Sequence, residues 1–170
     1  MASRSVKLID VNLEDTGLRA FILFVQTAWA VMKYAGGQLY RKARLSVVKL
    51  VVLRVLASSS SRAMTPSEIA EWTQTERHNI TALVGRMKRD GLVITERNKR
   101  DKRFVNISLT DKGREVLTQA MPVAREIVNQ VMLSISEGDA VVLEKLLRVL
   151  RQNAHDGLEH FAKRSQHHVA

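Results

Sequence analysis

Thr75, Arg77, His78, Asn79, Thr81, Ala82 and Arg86 crowd one short stretch of this chain, and a second cluster, Lys99, Arg100, Asp101, Lys102 and Arg103, follows soon after. No activated nucleophile or paired carboxylates accompany them. Guanidinium, ammonium, imidazole and amide groups in this mixture hydrogen-bond to anions and to polar edges rather than break covalent bonds. Between Glu76 and Arg114 eleven Lys/Arg stand against five Asp/Glu, a surplus of six out of the whole chain's formal +10. Basic charge concentrated in one segment points at nucleic acid.

Composition narrows the classes further. With 170 residues, 45% of them hydrophobic and 26% charged, the chain is long enough for one compact domain, or for a domain with a dimerisation arm. A pI near 10.4 favours an anionic partner, either nucleic acid or an acidic membrane surface. The chain has no cysteine, which excludes disulfides, thiolate metal sites and thiol-based redox sensing, and a cytoplasmic location is expected. The start, MASRSVKLIDVNLED, lacks the apolar core of a signal peptide. The apolar stretch Leu18–Met32 is interrupted by Arg19, Gln26 and Thr27, so no membrane span is expected.

The elements that must position the basic residues follow from caps and periodicity. Asn12, Asp15 or Thr16 can cap a first helix carrying Leu18, Phe21, Ile22, Val25, Ala28, Trp29 and Met32, and Gly36-Gly37 is expected to end it. Ala20, Phe24 and Val31 form a second apolar row, which fits a helix covered on two sides by a partner subunit; a central core helix is the alternative. Ser46 can cap a helix rich in Val and Leu that stops in the serine run Ser58–Ser61. Thr65-Pro66-Ser67-Glu68 combines a Thr cap, a Pro at the first helical position and a Glu three residues after the cap, with Ile69 and Trp72 expected in the core. The link Thr73-Gln74-Thr75 leads to a further capped helix with a buried row Ile80, Leu83, Val84 and Met87, ended by Asp90-Gly91. Two helices across a three-residue link have helix-turn-helix spacing. Near the other end, Ser136–Asp139 is a capping-box variant. It precedes the near-heptad seam Leu143, Leu147, Leu150, Ala154, Leu158 and Phe161, which suits helix pairing.

At about 100° per residue, with the buried row near zero, His78, Ala82, Gly85 and Arg89 lie on the opposite face of the second helix, flanked by Thr81 and Arg86. Arg77 lies nearer the core side but projects from the helix start, where it can meet a phosphate or a guanine edge. Small Ala82 and Gly85 permit close approach to a groove. A plain solvated face is the alternative, and the next segment weighs against it. Val93 and Thr95 read as a strand, with Val105, Ile107 and Leu109 as its return partner. The tip between them, Asn98–Arg103, has four basic residues in six, more than a turn requires, and suits a phosphate backbone or a minor groove. Readers of single strands stack bases on aromatics, and this segment offers only Phe104, so duplex DNA is the expected partner rather than RNA.

TPSEIAEWTQTERHNITALVGRMKRDGLVITER followed by DKRFVNISLTDKGREVL resembles the MarR family of prokaryotic transcription regulators. The specific parts are the Gly-Leu-Val turn within Met87–Val93, the Asp-x-Arg at Asp101–Arg103 and the Leu-Thr-x-Lys-Gly at Leu109–Gly113. The resemblance implies a mainly α fold with a small β-hairpin wing: an N-terminal dimerisation helix over 1–40, a winged helix-turn-helix domain over 41–113, and C-terminal helices over 114–170 that complete the dimerisation region. It implies a dimeric repressor on a pseudo-palindromic operator, with Glu76–Asp90 as the major-groove reader, Arg103 as the minor-groove arginine of the wing and Asp101 as its orienting acid. Arg97–Arg100 stand where many members have an Asp-Pro pair, and Ala82 where a polar or basic residue is common. The family often takes a small-molecule effector in a crevice beside the dimer helices. Trp29, Met32, Tyr34 and Tyr40 are the candidates to line it, and a core role is their alternative.

Other chemistries have little to stand on. His155 and His160 are five apart, off one helical face, and His167 and His168 lie in the tail, so a metal site with Asp156 or Glu159 is a minor alternative. No phosphate loop or nucleophile elbow is present, and neither an enzyme nor a cofactor is expected. A winged-helix protein-interaction module without DNA binding is the remaining alternative.

Overall fold

A computed structural model describes residues 14–59, 63–73, 75–97 and 105–167, with side chains described up to residue 160. The chain divides into two compact units, one up to Val131 and one from Met132 onward. In the first unit, among the described residues, the helices are α1 (Thr16–Ala43), α2 (Val47–Ser58), α3 (Pro66–Thr73), α4 (Arg77–Arg89) and α5 (Asp111–Val131). The strands are β1 (Ala63–Met64), β2 (Val93–Arg97) and β3 (Val105–Leu109), in one antiparallel sheet of order β1-β3-β2.

Several helix starts are built as their side chains dictate. Asp15 caps α1 by accepting from Gly17 N (2.7 Å) and Leu18 N (3.1 Å), and Ser46 caps α2 by accepting from Lys49 N at 3.3 Å. The box at α3 is reciprocal: Thr65 N donates to Glu68 Oε2 at 2.6 Å, and Glu68 N donates to Thr65 Oγ1 at 3.3 Å. Each cap satisfies N–H groups that have no partner inside the helix. The start of α4 differs from expectation, because its N-cap, Glu76, makes no side-chain cap bond.

Two other expectations are corrected. Gly36-Gly37 do not end α1, which runs on to Ala43. Two glycines lower local helix propensity by about 1 kcal/mol each, yet Leu39, beyond them, is buried and holds the following turn. The helix stops where Arg44 adopts φ 51°, with Leu45 N reaching back to Leu39 O at 3.4 Å, so a left-handed residue terminates it. Trp72 is not in the core: it is 69% exposed. In an eight-residue helix whose buried residues are Ile69 and Ala70, Trp72 falls about 110° from the centre of the buried arc.

The core of the first unit gathers Val52, Leu53 and Leu56 of α2, Ile69 of α3, the inner row of α4 and Ile107 of β3, with Leu117 and Ala120 closing it from α5. The register pairs Val93 with Leu109 and Arg97 with Val105, and β1 adds Met64 opposite Ile107. The third strand leaves no mark in the sequence, since two residues are too few for a period-2 signal. Along α1 only Leu39 is buried, whereas Phe21, Phe24, Trp29 and Met32 are exposed.

The second unit consists mainly of α6 (Glu137–His167). Ser136 caps it, accepting from Asp139 N at 3.1 Å and donating to Asp139 Oδ2 at 2.6 Å. Its apolar side chains, among them Val142, Leu146, Leu150 and Leu158, are exposed. No helix of the described residues is long and apolar enough to cross a membrane.

Candidate nucleic-acid interface

The four-residue inner row of α4, Ile80, Leu83, Val84 and Met87, is buried as the periodicity predicts, with Ile80 and Met87 at 0% exposure. Burying that row fixes which face points out. Arg77, His78, Asn79, Thr81, Ala82, Arg86 and Arg89 are all exposed, and Gly85 lies half-buried among them. Thr81 donates its hydroxyl back to Arg77 O at 3.0 Å, so what it offers outward is an acceptor oxygen. Thr75 is half-buried and faces its own turn, donating Oγ1 to Thr73 O at 3.1 Å and N–H to Ala70 O at 3.0 Å. The structure therefore brings six of the seven helix candidates to one accessible surface and gives the seventh a part in the turn before it.

Lys88, on the same helix, is turned to a different use. Its Nζ donates to Thr95 Oγ1 at 2.9 Å and ties α4 to β2. The end of α4 is held from two further sides: Lys49 Nζ of α2 pairs with Asp90 Oδ2 at 2.6 Å, and Lys112 Nζ of α5 donates to Asp90 O at 2.8 Å. The Lys49 hydrogen bond, with the positive charges of Lys49, Arg89 and Lys112 nearby, holds the Asp90 carboxyl below the usual carboxylate range against a smaller opposing effect of burial. Gly91, at φ 73°, turns the chain into β2. Residues 98–104, and with them Lys99, Arg100, Asp101, Lys102 and Arg103, lie outside the described residues; the paired ends Arg97 and Val105 flank that segment.

Sequence reasoning missed Trp72, whose exposure beside the helix-turn-helix link only packing could reveal, and the lysine contacts around Asp90. Thr110 and Lys112 belong to the Leu-Thr-x-Lys-Gly stretch, but nothing in one sequence shows that the target of Lys112 is the carbonyl of residue 90.

Trp29, Met32, Tyr34 and Tyr40 all lie on α1 and are exposed, and the guanidinium of Arg44 sits over the Tyr40 ring, 5.5 Å from its centroid. The first unit has a cavity of about 390 Å³ lined by Leu56, Ala57, Leu109 and Arg114, and none of those four aromatic and Met side chains lines it. Among the described residues no three His, Asp or Glu side chains converge on a point where a metal could bind. His155 instead faces Glu159 one turn on, Nδ1 to Oε1 at 3.5 Å.

Two helices across a tight turn, followed by a hairpin paired with a short third strand, define a winged helix-turn-helix protein. A family model described as the MarR family matches residues 45–103, the stretch that holds these elements. The chain is 29% identical over 103 residues to the HTH-type transcriptional repressor YetL of Bacillus subtilis, covering 61% of this chain and 62% of YetL. It is 33% identical over 92 residues to the transcriptional activatory protein BadR of Rhodopseudomonas palustris, covering 53% of each. The matched stretch thus spans less than two thirds of both relatives. In three dimensions it resembles Sco3205, a MarR family transcriptional regulator from Streptomyces coelicolor solved in complex with DNA, with a TM-score of 0.76 at 25% identity over 80% of this chain and 86% of that one. These likenesses make the stretch from residue 45 to residue 103 similar to the MarR family.

Proposed function

We propose that this chain is a sequence-specific, double-stranded-DNA-binding transcription regulator that acts as a homodimer in the cytoplasm. The observation that carries the reading is the outer face of α4, where Arg77, His78, Asn79, Ala82 and Arg86 stand exposed over a buried inner row. Such a helix reads base edges in a major groove from its first turns while its basic flanks meet phosphates. Lys99, Arg100, Lys102 and Arg103 take the adjacent backbone or minor groove, with Asp101 orienting Arg103. Thr75 supports the reader from its turn.

Residues 1–40 and 114–170 serve as the dimerisation region and 41–113 as the DNA-binding domain. The exposed apolar faces of α1 and of α6, each taken by itself, are what a second copy would cover. Two readers then sit roughly 34–36 Å apart on a pseudo-palindromic site. Repression is the sign we assign, by likeness to YetL; BadR is named for the opposite one. Trp29, Met32, Tyr34 and Tyr40 are the side chains we assign to an effector crevice, which a small molecule would enter to release the operator.

The test is duplex binding across a salt series. Each phosphate neutralised contributes a slope of about −0.9 in log K against log salt. A steep slope is expected, as is a large loss with Arg103→Ala and none with His155→Ala; affinity independent of salt would refute the reading. One observation favours a second reading, a protein-interaction module without DNA: Trp72 stands exposed on the first helix of the motif. Under that reading Trp72→Ala abolishes capture of a protein partner, and Arg103→Ala has no effect.

A further inference from the structure

Between α4 and β2 the chain turns through three residues, Asp90, Gly91 and Leu92, and the carbonyl of each is bound by the segment that starts α5. Lys112 Nζ donates to Asp90 O at 2.8 Å, Thr110 Oγ1 donates to Gly91 O at 2.7 Å, and Thr110 N donates to Leu92 O at 3.2 Å. The last carbonyls of a helix lack partners within it. In α4 those of Arg86, Met87 and Lys88 accept from the N–H groups of Asp90, Leu92 and Gly91, and the carbonyls of these three turn residues receive partners from a single neighbouring element. Thr110 Oγ1 also accepts from Gly113 N at 2.9 Å, so the same hydroxyl caps α5 and grips the turn. The Lys112 stem lies over Gly91, where a Cβ would stand 3.6 Å from its Cδ. Close approach is built in as well, because a Cβ on Gly113 would lie 2.0 Å from Leu92 O.

We infer that Thr110 and Lys112 are positioning residues for α4: they fix its C-terminal turn to α5 and thereby set the angle at which its outer face is presented. The inference rests on the DNA-binding reading above. The helix has 13 residues, about 20 Å of length, so a tilt of about 5° at the held end moves Arg77 by roughly 1.5 Å. Hydrogen bonds to base edges tolerate only a few tenths of an ångström before they weaken. The other end of α5 is tied to α1 through Lys42 Nζ and Glu126 Oε1 at 2.6 Å, so α5 references the reader to the first helix as well as to the sheet.

The experiment uses the full chain, a duplex selected by the wild type from a random pool, and an unrelated duplex of equal length, with anisotropy titrations at several salt concentrations. Lys112→Met and Thr110→Val are expected to lose about tenfold in affinity for the selected duplex. Affinity for the unrelated duplex and the salt slope stay as in the wild type, and Lys112→Arg and Thr110→Ser restore binding. A loss on both duplexes with a slope shallower by about one identifies Lys112 as a phosphate contact and overturns the inference. Losses that merely track the melting temperature, or no loss at all, overturn it too. Should Thr110→Val fail to fold, the exposed Lys112 carries the test. A DNA-free arm separates this inference from the reading beneath it. Amide exchange at Asp90, Gly91 and Leu92, whose N–H groups bond to Arg86, Lys88 and Met87, is expected to quicken in Lys112→Met. Unchanged exchange refutes the grip itself, whereas a wild type that selects no duplex refutes DNA binding and leaves the exchange result standing.

Discussion

Gly85→Ala separates what the fold of α4 needs from what its partner needs. Gly85 sits in the interior of a 13-residue helix, where glycine is less favourable than alanine by about 0.8–1 kcal/mol. An added Cβ there meets nothing within 4 Å, so the substitution brings no clash in the free protein. The variant is therefore expected to be more stable by about 0.5–1 kcal/mol, which for a chain of this size raises the melting temperature by roughly 1–4 °C. On DNA the sign reverses. Gly85 lies about 150° from the centre of the buried row, beside Ala82, on the face proposed to enter the groove. Overfilling a close-packed contact by one methyl costs about 1–3 kcal/mol, or roughly fivefold to a hundredfold in affinity. The assay pairs thermal unfolding by circular dichroism with duplex titration on the same preparation. A more stable variant that binds DNA as the wild type does would remove the centre of this face from the interface. A less stable one would contradict the open space found around Gly85.

Gly113→Ala places a Cβ 2.0 Å from Leu92 O, a backbone atom that cannot swing aside, so a loss above about 3 kcal/mol is expected in chemical denaturation; a loss under 1 kcal/mol would count against the close approach. Trp72→Gln should change stability by no more than about 0.5 kcal/mol, the usual range for a surface position, whereas a core tryptophan would lose several times that. Arg44, at φ 51°, bears a left-handed strain of about 1 kcal/mol, so Arg44→Gly is expected to stabilise and Arg44→Val to destabilise, read from urea midpoints. Asp90 has a lowered pKa in the folded chain, chiefly through the hydrogen bond from Lys49. A carboxyl lowered on folding stabilises at pH values above its unfolded pKa, and the contribution disappears as pH falls through the lower folded value. Because the side chain is 47% exposed, solvent screening keeps this below about 1 kcal/mol. Asp90→Asn should then be less stable than the wild type at neutral pH and equal to it in strong acid; a gap that persists in acid would exclude the ion pair as its cause.

What one sequence discloses here divides along the line between inside and outside. The inner row of α4 was readable because burial imposes a period of 3.6 on residue type, and the reciprocal box at Thr65 and Glu68 because unpaired N–H groups demand specific side chains. Trp72 was misplaced because an eight-residue helix has too few turns to distinguish the edge of its apolar arc from the centre. Gly36-Gly37 misled because glycine weakens a helix without forbidding one, and burial of Leu39 outweighs it. The grip of Thr110 and Lys112 on the end of α4 joins segments some twenty residues apart, and no local pattern encodes such a target.

Outward-facing residues obey no such period, yet they can be read from what the fold does not ask of them. Gly85 weakens α4 though its Cβ would meet nothing, and Gly36-Gly37 weaken α1 with the same open space around them. Arg44 holds a backbone conformation that glycine would adopt without strain. Phe21, Trp29 and Met32 on α1, and Leu146 and Leu158 on α6, leave apolar surface in water. Each is unfavourable within the chain as it stands. For Gly85 the proposed groove-facing position would supply the reason, and for the exposed apolar faces the proposed second copy would.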